Sequence, residues 1–223
     1  MRATLDMLYN EGVHKLQRRA ACEESAALAS RALQDPDRRC VRKRKESEGV
    51  LVLEAKEAQE LDRYEVIDGV VYDMTPPPST AHQRASNRIY ILFANHLRGK
   101  TCEAFHAPFG VWFNERDDEH VEPDITVVCD PSKIREKGCV GTPDLIVEVL
   151  SPNTAAKDRT VKLRRYQRAG VREYWIVDPV HKTVEVYRLE DNVFGKPDAY
   201  GEGDIIRVGI FEDLHVDLGE VFY

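Results

Sequence analysis

The chain reads as an α/β protein, and three stretches say so. Leu145 to Leu150 is apolar except for Glu148, Ala155 to Ala169 has helical composition ending at Gly170, and Glu173 to Val177 is apolar again. Together they make a strand, helix, strand crossover, with Ser151-Pro152-Asn153-Thr154 as loop and N-cap and Gly170 as a left-handed stop. Tyr64 to Ile67 and Val70 to Met74 flank Asp68-Gly69, a strong hairpin signal. Ala81 to about Leu97 places Ile89, Phe93 and Leu97 on one face at steps of four, which predicts a helix capped by Ser79 or Thr80.

With 223 residues, 42% hydrophobic and 32% charged, the chain has room for one medium domain and an extension. No apolar run is long enough to cross a bilayer and the N-terminus lacks an apolar signal core, so the expectation is a cytoplasmic protein with no membrane partner. The five cysteines, Cys22, Cys40, Cys102, Cys129 and Cys139, show no CxxC spacing. That argues against a disulfide framework or a zinc site and predicts reduced thiols.

Taken in order, residues 1–60 read as a helical N-terminal extension. Met7, Val13, Leu16, Ala21, Ala26, Leu28 and Leu33 give a ragged helical pattern broken at Asp35-Pro36-Asp37. Arg38 to Lys45 is strongly basic, a solvated linker or a phosphate contact. This segment is nearly neutral, with 12 Lys and Arg against 11 Asp and Glu, so residues 61–223, the expected main domain, hold 20 against 28, a net of −8.

After the hairpin, Pro76-Pro77-Pro78 ends the strand and the 81–97 helix begins, with His82 in its first turn. A histidine there more often caps or faces solvent than binds a ligand. Thr101 to Phe105 and Gly110 to Asn114 are short strands, Glu115 to Glu119 a charged turn, and Val121 to Val128 a strand entered through Pro123-Asp124. Asp130 to Gly141 reads as a loop. Beyond the crossover, Thr183 to Leu189 alternates and forms a hairpin with Tyr174 to Val177, and the tail holds a polar loop, a strand near Ile205 to Val208 and a peripheral acidic end.

Glu148 is the anomaly in this order. An ionised carboxylate in a buried strand costs several kcal/mol unless it is paired, hydrogen-bonded or bound to a cation. Asp124 and Glu148 lie on consecutive apolar strands, and neighbouring strands are about 4.8 Å apart, so both acids can reach one edge. Two converging carboxylates without thiol or imidazole companions suit Mg²⁺ or Mn²⁺ and point to phosphodiester hydrolysis. Asp144, roughly 13 Å from Glu148 by strand rise, is too far to share that ion and reads as the residue that starts its strand. Asp178-Pro179 similarly ends one. The crossover helix carries Lys157, Arg159, Lys162, Arg164, Arg165 and Arg168 against Asp158, a basic face that suits a polyanion or is simply solvated.

The motifs YEVIDGVVYDMTPPP, EPDITVV, PDLIVEVLSP, KDRTVKLRRYQRAGVREYWIVDP and TVEVYR resemble the Uma family of restriction-endonuclease-like proteins over about Tyr64 to Leu189. The resemblance implies the PD-(D/E)XK nuclease fold, a mixed sheet flanked by helices, and a Mg²⁺- or Mn²⁺-dependent nuclease acting on DNA, with Asp124 and Glu148 as catalytic metal ligands. It departs from the superfamily pattern at Leu150, where a lysine is expected. The resemblance points to the following helix, with Lys162 the first candidate and Lys157 the second. Helical spacing puts Asp158, Lys162 and Tyr166 on one face, so Asp158 can hold Lys162. His82, Lys157 and Arg165 are candidate substrate contacts, and Arg164, Arg165 and Arg168 candidates for steering the DNA backbone. A non-catalytic nucleic-acid-binding or assembly module on the same scaffold is the alternative, as is a hydrolase of another phosphate ester. A homodimer is compatible with cutting a duplex.

Overall fold

The computed structural model describes residues 52–53, 63–74, 77–116 and 119–223. In chain order the elements are β1 (Val52–Leu53), β2 (Tyr64–Ile67), β3 (Val70–Asp73), α1 (Thr80–Leu97), β4 (Glu103–His106), β5 (Gly110–Trp112), β6 (His120–Val121), β7 (Ile125–Val128), β8 (Ile134–Arg135), β9 (Gly138–Val140) and β10 (Leu145–Val149). The crossover helix α2 follows in three pieces, α-helical Ala155–Lys157, π-helical Asp158–Lys162 and α-helical Leu163–Ala169. Then come β11 (Glu173–Asp178), β12 (Thr183–Glu190), β13 (Val193–Phe194), β14 (Asp198–Gly201), β15 (Ile205–Arg207), β16 (His215–Asp217) and α3 (Leu218–Phe222).

Two seven-stranded sheets carry the fold among the described residues. The larger, by the length of its strands, runs β13-β12-β11-β10-β7-β4, with β14 also on β12, and the smaller runs β1-β3-β2-β6-β5-β9-β8. The larger sheet is mixed, as expected: β10 and β11 are parallel, joined by α2, while β7 and β12 pair antiparallel on either side. One core gathers Ala85, Ile89, Phe93 and Leu97 of α1 against Ile125, Val127, Leu145, Val147, Trp175 and Val177. The other gathers Val128, Ile146, Leu150, Tyr174 and Ile176 with Tyr166 of α2 and Ile67, Val111 and Val121 of the smaller sheet. Alternate residues of β7, β10 and β11 thus feed opposite faces, which is why these strands read as almost continuously apolar.

Several expectations change. Val121 to Val128 is not one strand. Pro123 has no N–H for a ladder, and around it the chain leaves the smaller sheet at β6 and enters the larger at β7. The expected loop after Asp130 contains a 3₁₀ turn at Pro131–Lys133 and the β8–β9 hairpin, whose second strand pairs with β5. The tail is not peripheral: Ile206, Val208, Leu214, Val216, Leu218, Val221 and Phe222 are buried in the first core. Reduced thiols fail for one pair. Glu103 faces Val128 across β4 and β7, so the next residues out, Cys102 and Cys129, meet and are disulfide-bonded, while Cys139 is free and buried. Val52–Leu53, inside the segment expected to be helical, is a short strand on β3. The rest of the helical extension, including Arg38 to Lys45, lies outside the described residues. No described helix is long and apolar enough to cross a membrane.

Candidate active site

A cavity of about 740 Å³ opens at the end of β10 and is lined by Glu65, His82, Asp124, Glu148, Lys157, Asp158 and Lys162. The two acids singled out in the sequence are brought together by strand register. Val147 faces Ile125 across β10 and β7, and the next pair outward is Glu148 and Asp124. Directly opposed residues of an antiparallel pair share a face. Asp124 is anchored where the strand starts: its Oδ2 accepts from the Val149 N–H at 2.8 Å. The Nε2 of His82 lies 3.3 Å from the same oxygen.

Glu148 is buried, and its partners come from α2. Its Oε1 accepts from Lys162 Nζ at 2.8 Å and from the Tyr166 hydroxyl at 2.6 Å. Lys162 reaches Glu65 Oε1 at 2.7 Å, and Lys157 donates to Glu65 Oε2 at 2.6 Å. Asp158 stands 3.8 Å from Lys162, so its expected hold on that lysine is the longest of the three. Sequence reasoning missed Glu65, which is fully buried on β2. The signal was present, because Glu65 is in phase with Ile67 on a strand that alternates between half-buried and buried residues.

The π-helical turn explains how two lysines five residues apart reach one carboxylate. In a regular α-helix, at about 100° per residue, Lys157 and Lys162 would project some 140° apart. A π turn closes i to i+5 and brings such residues to one side. Lys157, Asp158, Lys162 and Tyr166 are all buried as a result.

The electrostatics follow from four carboxylates, Glu65, Asp124, Glu148 and Asp158, facing two lysines. Burial raises the Glu65 carboxyl, but the Lys162 and Lys157 ammonium groups outweigh it and hold it down at about 2. Burial pushes Glu148 up to about 8; Lys162 opposes this, and Asp158, Glu65 and Asp124 reinforce it. Burial likewise raises Asp158. Burial alone would lower Lys162, yet Glu148, Glu65 and Asp158 keep it well above its usual range and therefore charged.

Among the described residues, no three or more His, Cys, Asp or Glu are grouped to hold a metal ion. The donor set is instead the pair Asp124 and Glu148. Protein hydrogen bonds converge on one oxygen of each, Oδ2 and Oε1. An acidic surplus and a two-carboxylate pair fit a hard divalent cation that keeps several waters, and do not fit a softer ion needing a closed cage.

The remaining site expectations divide. Lys157 lines the cavity, whereas Arg165 is paired with Glu119 at 2.9 Å and sits over the Phe113 ring. Arg159 is paired with Glu185 and Arg168 with Asp68, so the helix is not a free basic face, although Arg164 is exposed. Acids just before β6, in the β2–β3 turn and on β12 neutralise charges that looked solvated in the linear sequence. His82 is neither a surface residue nor the cap. Ser79 caps α1 by accepting from the His82 N–H, and the His82 ring is buried against Asp124. Leu150 is buried. Asp144 takes the Cys129 N–H at 2.8 Å at the far end of β10, as a strand-starting residue should.

The model of the family Uma2, described as "Putative restriction endonuclease", matches residues 50–219. The chain is 31% identical over 137 residues to uncharacterized protein slr1290 of Synechocystis, covering 61% of this chain and 71% of that one. It is 26% identical over 136 residues to uncharacterized protein sll1609 of the same organism, covering 60% and 76%. Among solved structures, a protein from Anabaena variabilis described as "a putative nuclease belonging to DUF820" superposes with a TM-score of 0.60 at 22% identity, over 76% of this chain and 97% of that one.

Proposed function

Because the chain belongs to the Uma2 family, whose restriction-endonuclease-like relatives generally use divalent metals, we propose that it is a Mg²⁺- or Mn²⁺-dependent nuclease hydrolysing DNA phosphodiester bonds. One observation carries the reading: Asp124 and Glu148 both line the cavity, one residue beyond the last β7–β10 pair, with Lys162 hydrogen-bonded to Glu148. Asp124 and Glu148 would hold the cation. When bound, the cation supplies a polarised phosphoryl oxygen and a water that ionises more easily.

The chain's own groups do the rest. Lys162 stays charged and places an ammonium group beside the acid pair, where it stabilises negative charge developing on a phosphate. Tyr166 and Lys162 fix the orientation of Glu148 by binding one of its oxygens. Lys157 and Glu65 hold Lys162 against the acids and keep it from swinging into solvent. Plasmid DNA with Mg²⁺ or Mn²⁺ tests the assignment: wild type nicks or cuts it and the Asp124→Ala and Glu148→Ala proteins do not. Equal cutting by all three refutes it.

A non-catalytic binding or assembly module is the second reading. It is favoured by the pairing of Lys162 with Glu65 and Glu148 and of Arg159, Arg165 and Arg168 with acids, which leaves few cations of α2 for a phosphate backbone. Calorimetric titration with Mn²⁺ separates the two, since only the nuclease reading expects binding that depends on Asp124 and Glu148.

A further inference from the structure

The geometry points to His82 as a positioning residue for Asp124, a role that rests on the metal-dependent reading above. Asp124 lies between Pro123 and Ile125, the first residue of β7, just outside the ladder that β7 makes with β10. Two donors meet its Oδ2, the Val149 N–H at 2.8 Å and His82 Nε2 at 3.3 Å. With both on one oxygen, rotation of the carboxylate is blocked and Oδ1 is the oxygen left to present to the cavity.

The ring is an expensive way to fill this place if filling were its only task. His82 is 8% exposed at the side chain, and its Nδ1 is buried with no hydrogen-bond partner. A leucine or phenylalanine would occupy the volume without an orphaned polar atom, which is costly to bury. The stability lost at Nδ1 is offset only if Nε2 is needed where it is. Ser79 serves the same end from the backbone, because its cap on the His82 N–H fixes the first turn of α1 and so the direction of the ring.

The experiment titrates Mn²⁺ alone into the full chain by calorimetry, with melting curves recorded in parallel. In His82→Leu, Mn²⁺ affinity falls about 10- to 100-fold, the range for removing a group that orients a metal ligand. In His82→Gln, whose amide nitrogen reaches the position of Nε2, affinity returns to that of wild type. Melting temperatures of the two variants stay close together, so a loss of affinity in the first alone is not a folding effect. Should His82→Leu fail to fold, His82→Asn replaces it, because its shorter amide sits where Nδ1 is and cannot reach Asp124. Affinity unchanged in the variant lacking the donor, or equally weak in His82→Gln, overturns the inference while leaving the nuclease reading intact. Wild-type protein that binds no Mn²⁺ overturns both.

Discussion

Replacing Glu65 by glutamine tests the two-lysine cluster most directly. The change keeps size and hydrogen-bonding capacity but removes the charge that Lys157 and Lys162 share at 2.6 and 2.7 Å. Both lysines are at least nine-tenths buried, so neither can turn to water without dragging its stem through the core. Lys162 keeps its hydrogen bond to Glu148, but Lys157 loses its only close carboxylate among the described residues. Removing one partner of a buried pair costs about 3–5 kcal/mol, because the other charge stays behind. At about 2–4 °C of melting temperature per kcal/mol for a domain of this size, the drop is roughly 6–20 °C. Urea unfolding at pH 7 gives the free energy. A double change, Glu65→Gln with Lys157→Met, recovers much of the loss, since the orphaned ammonium is gone. The pH dependence carries its own sign. Glu65 ionises at about 2 in the folded chain and at its ordinary 4.5 when unfolded, so its contribution is complete above 4.5 and disappears as pH falls towards 2. The gap between wild type and Glu65→Gln must therefore narrow across that window. A loss below about 1 kcal/mol at pH 7, the range of exposed pairs, refutes the reasoning, as does a double variant no better than the single.

Three further outcomes follow from the same geometry. Glu148 holds its proton up to about 8 when folded and only to 4.5 when unfolded, so between these values the folded state binds more protons and metal-free stability falls as pH rises; urea midpoints from pH 5 to 8.5 should show the slope, and Glu148→Gln should flatten it. Deleting Thr160 removes the extra residue of the π turn and swings either Lys157 or Lys162 off Glu65, so Mn²⁺ binding and melting temperature both fall, whereas retention of both shows that the turn is incidental. Leu218→Ala, in the tail expected to be peripheral, should cost about 2–5 kcal/mol by urea unfolding as a core leucine does; a cost under 1 kcal/mol shows that the tail adds little to the core.

The parts of this molecule legible in its sequence are those set by local pattern. The β2–β3 hairpin, α1, the crossover of β10, α2 and β11, and the β11–β12 hairpin each announce themselves through alternation, turn residues or a left-handed glycine, and each is found. That Asp124 and Glu148 approach one edge was legible because both stand on the two long apolar runs, which pair despite the β8–β9 hairpin between them. What escaped depends on distant partners. Nothing near Glu65 in sequence shows that its charge will meet lysines some 92 residues later. The arginines of α2 looked available because Asp68, Glu119 and Glu185 lie on other elements. The π turn escaped because helical periodicity assumes one pitch throughout, and the tail because its buried residues are spaced by turns rather than by one repeat.

The division of charge between sheet and helix has a consequence for the order of assembly. Glu65, Asp124 and Glu148 come from the strands and their ends, while α2 supplies both ammonium groups along with Asp158, so a chain with β7 and β10 paired but α2 undocked has Asp124 and Glu148 without counter-charges at the mouth of the cavity. Repulsion among those acids opposes that partly folded form, and docking α2 relieves it. Opening of the helix alone is thereby penalised twice, by lost packing at Tyr166 and by uncompensated charge. Amide hydrogens of α2 should consequently exchange together with those of β10 and β11, as one cooperative unit, and not ahead of them.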